Sequence, residues 1–295
     1  MTQSTWTVAE AQKLTFDVPV TQVRVRVVNG AVNVVGTDDG TPARLEIAGV
    51  EGPPLLVTQD GGTLTVGYED LTRQGLRKWL DPKEWRNART ELRRSAVVTL
   101  TVPAGARVEL AAVGAATVVS GIRGGTVLHG VSGDSTLVGL AGEVRADTVS
   151  GDVEAQSLAG ELRFHSVSGD LTVVDGTGSS VRGESVSGDM VLDLPSGGPA
   201  DIALTSVSGQ VAIRLPHPAD TRVEANTATG SVSTSFDDLR VSGQWGAKRI
   251  TGTLGAGTGT LKASTVSGSI ALLRRPRSPE EGPDATPLAL DKKVL

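Results

Sequence analysis

The chain has 295 residues, of which 38% are hydrophobic but only 3% are aromatic, and 37 are glycines. It contains no cysteine, which excludes a disulfide framework and a thiolate metal site. Its formal net charge of −5 argues against broad binding to nucleic acid, because such binding rewards a large positive surface. A core of this composition is filled by small aliphatic side chains, which suits a thin, elongated fold.

The first part of the chain is expected to form a β-sheet. Residues 1–13 are polar and are expected to be a flexible N-terminus. Six segments then alternate with strand periodicity: 14–18, 22–28, 31–35, 43–48, 55–59 and 63–67. Asn29-Gly30 and Asp60-Gly61-Gly62 are typical hairpin turns. This sheet should cap one end of the repeats that follow, because an uncapped end exposes unpaired backbone groups.

Residues 71–95 interrupt the alternation with a basic segment, called the basic insertion below. Asp81 as N-cap and Glu84 in a capping box predict a helix over 82–94, preceded by another over 72–80. Eight basic and three acidic residues give the insertion a charge of +5. Either it packs onto the fold as a cap, or it contacts an anionic partner. The candidate partner-binding residues are Arg77, Lys78, Trp79, Trp85, Arg86, Arg89 and Arg93.

From residue 131 onward the phrase Val-Ser-Gly-Asp returns at a fixed spacing. The first three copies are 18 residues apart and the next interval is 19. The predicted turn residues are Gly133, Asp134, Gly151, Asp152, Gly169, Asp170, Gly188 and Asp189. Weaker copies begin at Val207, Ala228 and Val266. A second glycine series lies between the copies, at Gly142, Gly160 and Gly178. Glycine is expected at these turns because the chain has to reverse there with a positive φ.

Alternation between the turns predicts two short strands per unit. Leu171 and Val173 flank Thr172, so each strand has one apolar face. Equivalent strands of consecutive units should stack about 4.8 Å apart. The sequence therefore predicts an all-β fold: a flattened parallel β-solenoid, or β-helix, with about 18 residues per rung, an N-terminal β-sheet cap and a short helical insertion. A globular sandwich of hairpins is the alternative, but its turns would not recur at constant spacing.

The repeated phrase, together with the closing Gly252-Thr253-Leu254-Gly255 and Thr265-Val266-Ser267-Gly268, resembles the bacterial toastrack proteins. The resemblance covers roughly residues 14–273. It implies a single β-solenoid domain of unknown function, often described as a proposed adhesin, found near membrane-stress and envelope genes and without known catalytic residues. This chain departs from the family pattern in its basic insertion and in showing no membrane segment such as some relatives carry.

Catalytic and metal-binding constellations are not evident. The histidines, His129, His165 and His217, have no partner at a recognisable metal or triad spacing. We therefore expect no enzymatic activity, no cofactor and no metal ion. The repeated aspartates should form a column of like charges roughly 5 Å apart. They either accept hydrogen bonds from turn amides or collect Ca²⁺, and single carboxylates in a ladder are a poor calcium cage.

An outward column of charged side chains is expected on one face. Its members are Arg145, Arg163 and Arg182, with Asp147, His165 and Glu184 two residues on. The column is either a solvated, solubilising surface or a flat recognition face for a partner.

These patterns predict a non-enzymatic scaffold or interaction protein, linked by the resemblance to membrane or envelope stress. The expected partner is an unidentified protein or an anionic membrane surface, and the protein itself should be a monomer or small oligomer. A nucleic-acid-binding protein acting through the basic insertion is the alternative. Without a signal-like start or an apolar run of 18 residues, a cytoplasmic location, peripheral to the membrane, is expected. The tail over 274–295 should be disordered.

Overall fold

The computed structural model describes residues 3–69, 71, 94–198, 201–244 and 246–275, which form two long sheets. The first sheet has 14 strands, in the spatial order β1 (Gln3–Val8), β6 (Leu55–Asp60), β7 (Thr63–Gly67), β3 (Gln22–Val27), β9 (Arg107–Ala112), β11 (Thr126–Gly130), β13 (Val144–Asp147), β15 (Leu162–Ser166), β17 (Ser180–Ser185), β19 (Asp201–Ser206), β25 (Gly259–Thr265), β21 (Thr221–Thr227), β24 (Ala247–Leu254) and β23 (Arg240–Gln244). The second sheet has 12 strands, in the order β2 (Gln12–Phe16), β5 (Ala43–Glu51), β8 (Ser95–Pro103), β4 (Asn29–Thr37), β10 (Ala116–Ser120), β12 (Ser135–Val138), β14 (Val153–Gln156), β16 (Leu171–Val174), β18 (Met190–Asp193), β20 (Val211–Leu215), β26 (Ile270–Arg274) and β22 (Val232–Thr234).

Each repeat unit contributes one strand to each sheet. β13, β15 and β17 are parallel and in register, so that Val144 pairs with Leu162, and Leu162 with Val181. β14, β16 and β18 stack in the same way in the second sheet. The prediction of an all-β fold with stacked parallel strands is confirmed. The predicted helices of the basic insertion lie outside the described residues, as does the tail beyond Arg275.

The core consists of apolar, mostly aliphatic columns between the two sheets. Leu162 and Phe164 from the first sheet, and Leu171 and Val173 from the second, have no exposed surface. The residues between them in sequence face outward, as strand alternation predicts. Because burying one such side chain stabilises the fold by roughly 1.5–3 kcal/mol, the columns supply much of the free energy that holds the rungs together.

Antiparallel strands extend both sheets at the N-terminal end, where a cap is predicted. β1 pairs with β6, and β2 with β5. Trp6 and Phe16, one from each sheet, meet edge to face with ring centroids 5.5 Å apart and fill the space between the sheet ends. Of the residues expected to form a flexible N-terminus, 3–8 therefore lie in β1 and 12–13 in β2, and Val8 is buried in the core.

The two predicted hairpin turns have different outcomes. Asp60 lies opposite Thr63 across the turn joining β6 to β7, which confirms that hairpin. The prediction of a hairpin at Asn29-Gly30 is wrong, because the chain passes there from β3 in the first sheet to β4 in the second. Gly30 has a φ of 107°, and a Cβ on it would lie 2.1 Å from the Ala96 carbonyl oxygen. The same Asn-Gly sequence signal therefore occurs where a chain turns back within one sheet and where it passes from one sheet to the other.

The spatial order of the rungs departs from chain order at both ends. β3 lies between β7 and β9, while β25 lies between β19 and β21, and β26 between β20 and β22. The last copy of the repeated phrase therefore stacks on the Val207 copy, and the Ala228 copy stacks on the last one. Ser267 N donates to the Val207 carbonyl and Thr229 N to the Val266 carbonyl, both at 2.9 Å.

Glycine is required in the repeated phrase for a reason other than the one expected. Positive φ values are not found at Gly133, Gly151, Gly169 and Gly188. Instead, a Cβ on Gly151 would lie 2.2 Å from the Gly133 carbonyl oxygen of the preceding rung. The left-handed conformation occurs at the opposite corner, at Gly139 (φ 61°), Ser157 (φ 52°) and Asp175 (φ 53°). Close approach of neighbouring rungs, and not chain reversal, excludes a side chain from these glycines.

Replacing Leu171 with Ala should lower the free energy of unfolding by roughly 2–5 kcal/mol, because the column cannot collapse around the lost volume. The outward neighbour Thr172 is the control, and Thr172→Ala should change it by less than about 0.5 kcal/mol. Urea unfolding monitored by circular dichroism measures both values. Equal effects of the two substitutions would contradict the buried column.

The two corners should respond differently to an added methyl group. Gly151→Ala should cost about 3 kcal/mol, because the methyl meets a backbone carbonyl that cannot move without disturbing the next rung. Gly139→Ala should cost only about 1 kcal/mol, since nothing lies within 4 Å of the added Cβ and only the left-handed conformation is penalised. Thermal unfolding of both variants tests this order; the reverse order would show that φ is the decisive constraint.

Candidate functional site

The candidate partner-binding residues of the basic insertion lie outside the described residues: Arg77, Lys78, Trp79, Trp85, Arg86, Arg89 and Arg93. The structure describes the residues at its two ends, Leu71 and Arg94. The Arg94 guanidinium carbon lies 5.4 Å from the centroid of the buried Tyr68 ring. Arg26 donates a hydrogen bond to the Leu71 carbonyl at 3.1 Å, and Asn29 to the Arg94 carbonyl at 3.2 Å. Both ends of the insertion are therefore anchored beside β3 and β4, next to the N-terminal cap.

The corner that carries the repeated phrase is held by a recurring set of hydrogen bonds. The Ser166 hydroxyl accepts the N–H of Gly169 at 2.7 Å. The Ser168 N–H donates to the Val149 carbonyl of the preceding rung at 2.8 Å, and its hydroxyl donates to the same oxygen at 3.3 Å. The same contacts recur in the next two copies. Serine and glycine thus connect each rung to its neighbour.

The aspartates of the repeated phrase accept backbone hydrogen bonds from the following rung. Asp134 Oδ1 accepts the N–H of Asp152 at 3.1 Å, and Asp152 Oδ1 that of Asp170 at 2.9 Å. Asp170 Oδ1 accepts the N–H of Asp189 at 2.7 Å. A donor beside each carboxylate offsets part of the repulsion within the column. This geometry gives the aspartates a structural role at the turns.

Calcium should not stabilise this column specifically, because each carboxylate already has a backbone donor and no chelating cage surrounds it. The melting temperature measured in millimolar Ca²⁺ is expected to match that in Mg²⁺ and in NaCl of equal ionic strength. A rise seen with Ca²⁺ alone, and abolished by Asp152→Asn, would establish a cation site instead.

The valines of the repeated phrase form a column on the outside of the fold. Val149, Val167 and Val186 are 38%, 50% and 49% exposed. Val207 and Val266 continue the column towards the C-terminal rungs, with 45% and 52% exposed. Contiguous apolar surface of this kind often marks a site of interaction with another molecule.

The outer face of the first sheet carries the predicted arginine column. Arg145, Arg163 and Arg182 occupy equivalent positions on β13, β15 and β17. Arg145 Nε donates to Asp147 Oδ2 at 2.8 Å, and this hydrogen bond raises the pKa of Arg145 above its usual value. Arg163 lies 3.6 Å from two glutamate carboxylates. The face is therefore a mixed-charge surface in which acids partly neutralise the arginines.

His129 also belongs to this charged face, although no sequence motif predicted a partner for it. It pairs in register with Asp147, which pairs with His165. The Nδ1 atoms of His129 and His165 lie 3.3 and 3.1 Å from the two oxygens of the Asp147 carboxylate. The three residues follow one another at intervals of 18, so the repeat period contained the signal that local motif spacing did not.

The outer face of the second sheet is much less charged. From β10 to β18 the equivalent outward positions are Val118, Thr136, Glu154, Thr172 and Val191, of which only Glu154 is charged. Asp193 and Arg214 on neighbouring strands form an ion pair at 2.9 Å. The two sides of the solenoid therefore present different chemistry to a partner.

A cavity of about 220 Å³ lies near the C-terminal rungs, lined among others by Leu194, Leu215, Pro216 and Asp220. Asp220 accepts a hydrogen bond from Thr258 Oγ1 at 3.0 Å, and this contact lowers the pKa of the carboxyl group. Asp220 thus stabilises the loop that precedes β25. No helix among the described residues is long and apolar enough to cross a membrane.

Two stacked, mainly parallel sheets whose corners lie in register define a flattened β-solenoid. The sequence model of the Toastrack DUF4097 family matches residues 53–273, and the chain belongs to this family. A search of curated proteins finds no match.

Two solved structures are similar to this chain at low sequence identity. A proposed lipid-binding protein from Parabacteroides distasonis is 11% identical, with a TM-score of 0.50 and coverage of 90% of this chain and 97% of that chain. A proposed adhesin from Bacteroides fragilis is 12% identical, with a TM-score of 0.42 and the same coverage of both chains. At such identities the similarity to the first of these shows the fold alone.

Proposed function

We propose that this protein is a non-enzymatic scaffold that binds its partner through its extended outer surfaces. The observation that carries the proposal is the register of the outward columns, in which the same residue type recurs from rung to rung. Such columns make a long, rigid and periodic surface, which suits recognition of an extended partner. Membership of the Toastrack family, together with a fold similar to that of a proposed lipid-binding protein, supports an interaction role.

The partner that the charge pattern favours is anionic: first a membrane surface or an acidic protein, and second a nucleic acid. The basic insertion carries +5 in a chain of net charge −5, so it is a local positive pole. The described residues at its two ends, Leu71 and Arg94, contact Arg26 and Tyr68 beside the N-terminal cap. A cytoplasmic protein peripheral to the membrane, acting in membrane or envelope stress, fits this arrangement.

Binding to anionic vesicles should depend on the basic insertion. Arg86→Glu with Arg89→Glu is expected to reduce co-sedimentation with anionic vesicles about tenfold, and binding by the natural chain should weaken with salt, because exposed charges are screened over roughly 10 Å at 0.1 M salt. Neutral vesicles and a DNA shift assay, run in parallel, separate a membrane surface from a nucleic acid.

Arg240→Glu with Lys248→Glu is the matched control, because it makes the same charge change on β23 and β24, at the far end of the first sheet. This control should bind vesicles like the natural chain. Equal loss in both double variants would indicate a general charge effect. Negligible binding of all three proteins to every anionic surface would contradict the proposal of an anionic partner. The scaffold proposal would then rest on the outer faces of the two sheets alone.

A further inference from the structure

The first sheet ends at the N-terminal cap on an edge strand whose outer side is unpaired. β1 pairs with β6 over all six of its residues, and no other described strand lies beside it. In an antiparallel pair, every second residue points its N–H and C=O groups away from the partner strand. These groups of β1 face outward from the sheet, and a row of this kind is a template for pairing with another strand.

β1 lacks the features that normally block such pairing, which are charged side chains, prolines, bulges and very short strands. Its sequence is Gln-Ser-Thr-Trp-Thr-Val, and its register with β6 contains no shift. The other sheet ends formed by the described residues differ from it. β2 carries Lys13, β23 carries Arg240, and β22 has only three residues. Strand addition is therefore least hindered at β1.

The apolar core is incompletely covered at the same end of the molecule. Trp6 of β1 and Leu14 of β2 pack against the buried core but are themselves only partly buried. Trp6 contacts Phe16 of β2, so the ends of the two sheets lie side by side. A single peptide strand added to β1 would extend the first sheet alone and would leave Leu14 uncovered. A second copy of this end carries its own Trp6 and Leu14, so the two copies cover both side chains in each other.

We propose that two copies of this chain associate end to end, with β1 of each copy paired antiparallel to β1 of the other about a two-fold axis. Such an axis makes the interface self-complementary, because the same residues lie on both sides of it. Since β1 is uncharged, no like charges meet across the pair. The association extends the first sheet across both copies and brings their two cores together.

The alternation of β1 restricts the register of this pairing. Val8 and Trp6 face the core side and Thr5 faces solvent, so the core is continuous only if inward residues lie opposite inward residues. The two-fold axis must then pass through a residue and not between two residues. An axis at Thr5 sets Ser4 opposite Trp6 of the second copy, which places a small side chain against a large one. Thr5 then lies opposite Thr5 of the second copy.

Charge substitutions at Thr5 test the pairing, with the monomer–dimer equilibrium of the full chain measured by sedimentation velocity. Thr5→Lys and Thr5→Glu should each weaken dimerisation about tenfold or more, because like charges then meet across the two-fold axis. An equimolar mixture of the two variants should restore it, because opposite charges then meet. Ser242→Lys is the matched control, since it places the same charge on the exposed strand β23 at the other end of the first sheet. This control should dimerise like the natural chain. Circular dichroism melts establish that each variant is folded.

The absence of cysteine from the chain gives a second readout. Thr5→Cys should be linked into covalent dimers by a short bis-maleimide reagent, because residues directly opposite each other in an antiparallel pair have Cβ atoms about 5 Å apart. Ser242→Cys, treated in the same way, should remain monomeric.

Three results would overturn the proposal. The first is a natural chain that stays monomeric at submillimolar concentration. The second is a dimer that neither charge at Thr5 weakens. The third is an equal effect at Ser242 and Thr5 in either experiment, which would indicate that opposite ends of the first sheet pair head to tail.

Discussion

The fold depends on the close stacking of successive corners at one inter-strand spacing. The backbone of each corner approaches the carbonyl oxygen of the preceding one so closely that no Cβ fits between them, as at Gly151 over Gly133. In return, the corner amides and hydroxyls donate to carbonyls of the neighbouring rung. The same spacing aligns the strands, and alignment of the strands builds the buried columns of Leu162 and Leu171. One steric constraint therefore fixes both the turns and the core.

The parts of the fold that repeat could be predicted from the sequence, because periodicity reports the spacing between equivalent residues. The parallel stack, the outward arginine column and the hairpin at Asp60 follow from period and local turn chemistry alone. Asn29-Gly30 was wrong because a two-residue turn signal carries no information on which sheet receives the next strand. The place of β25 inside the stack also escapes a sequence reading, since it is decided by pairing between strands distant in the chain.

The candidate site was predicted less well than the fold, for a related reason. His129, Asp147 and His165 are remote in sequence, and spacings typical of metal or catalytic motifs do not connect them. Their proximity appears only when the repeat length is used as the unit of distance. The exposed valines show the converse. That they form a column follows from the repeat. Whether the column faces the core or the solvent depends on how the chain turns at the corner, and in the structure Val167 is half exposed.

The position of the last rung has a consequence for how the protein is made. β19 and β20 are synthesised well before β25 and β26, the strands that pair with them. β21 and β22 are synthesised between these two sets, but they pair with the far edges of β25 and β26. During translation, one edge of β19 and of β20 therefore lacks its native neighbouring strand until residues 259–274 have left the ribosome. Because β25 and β26 lie between strands that precede them in the chain, the stack is completed only after both of them have been synthesised.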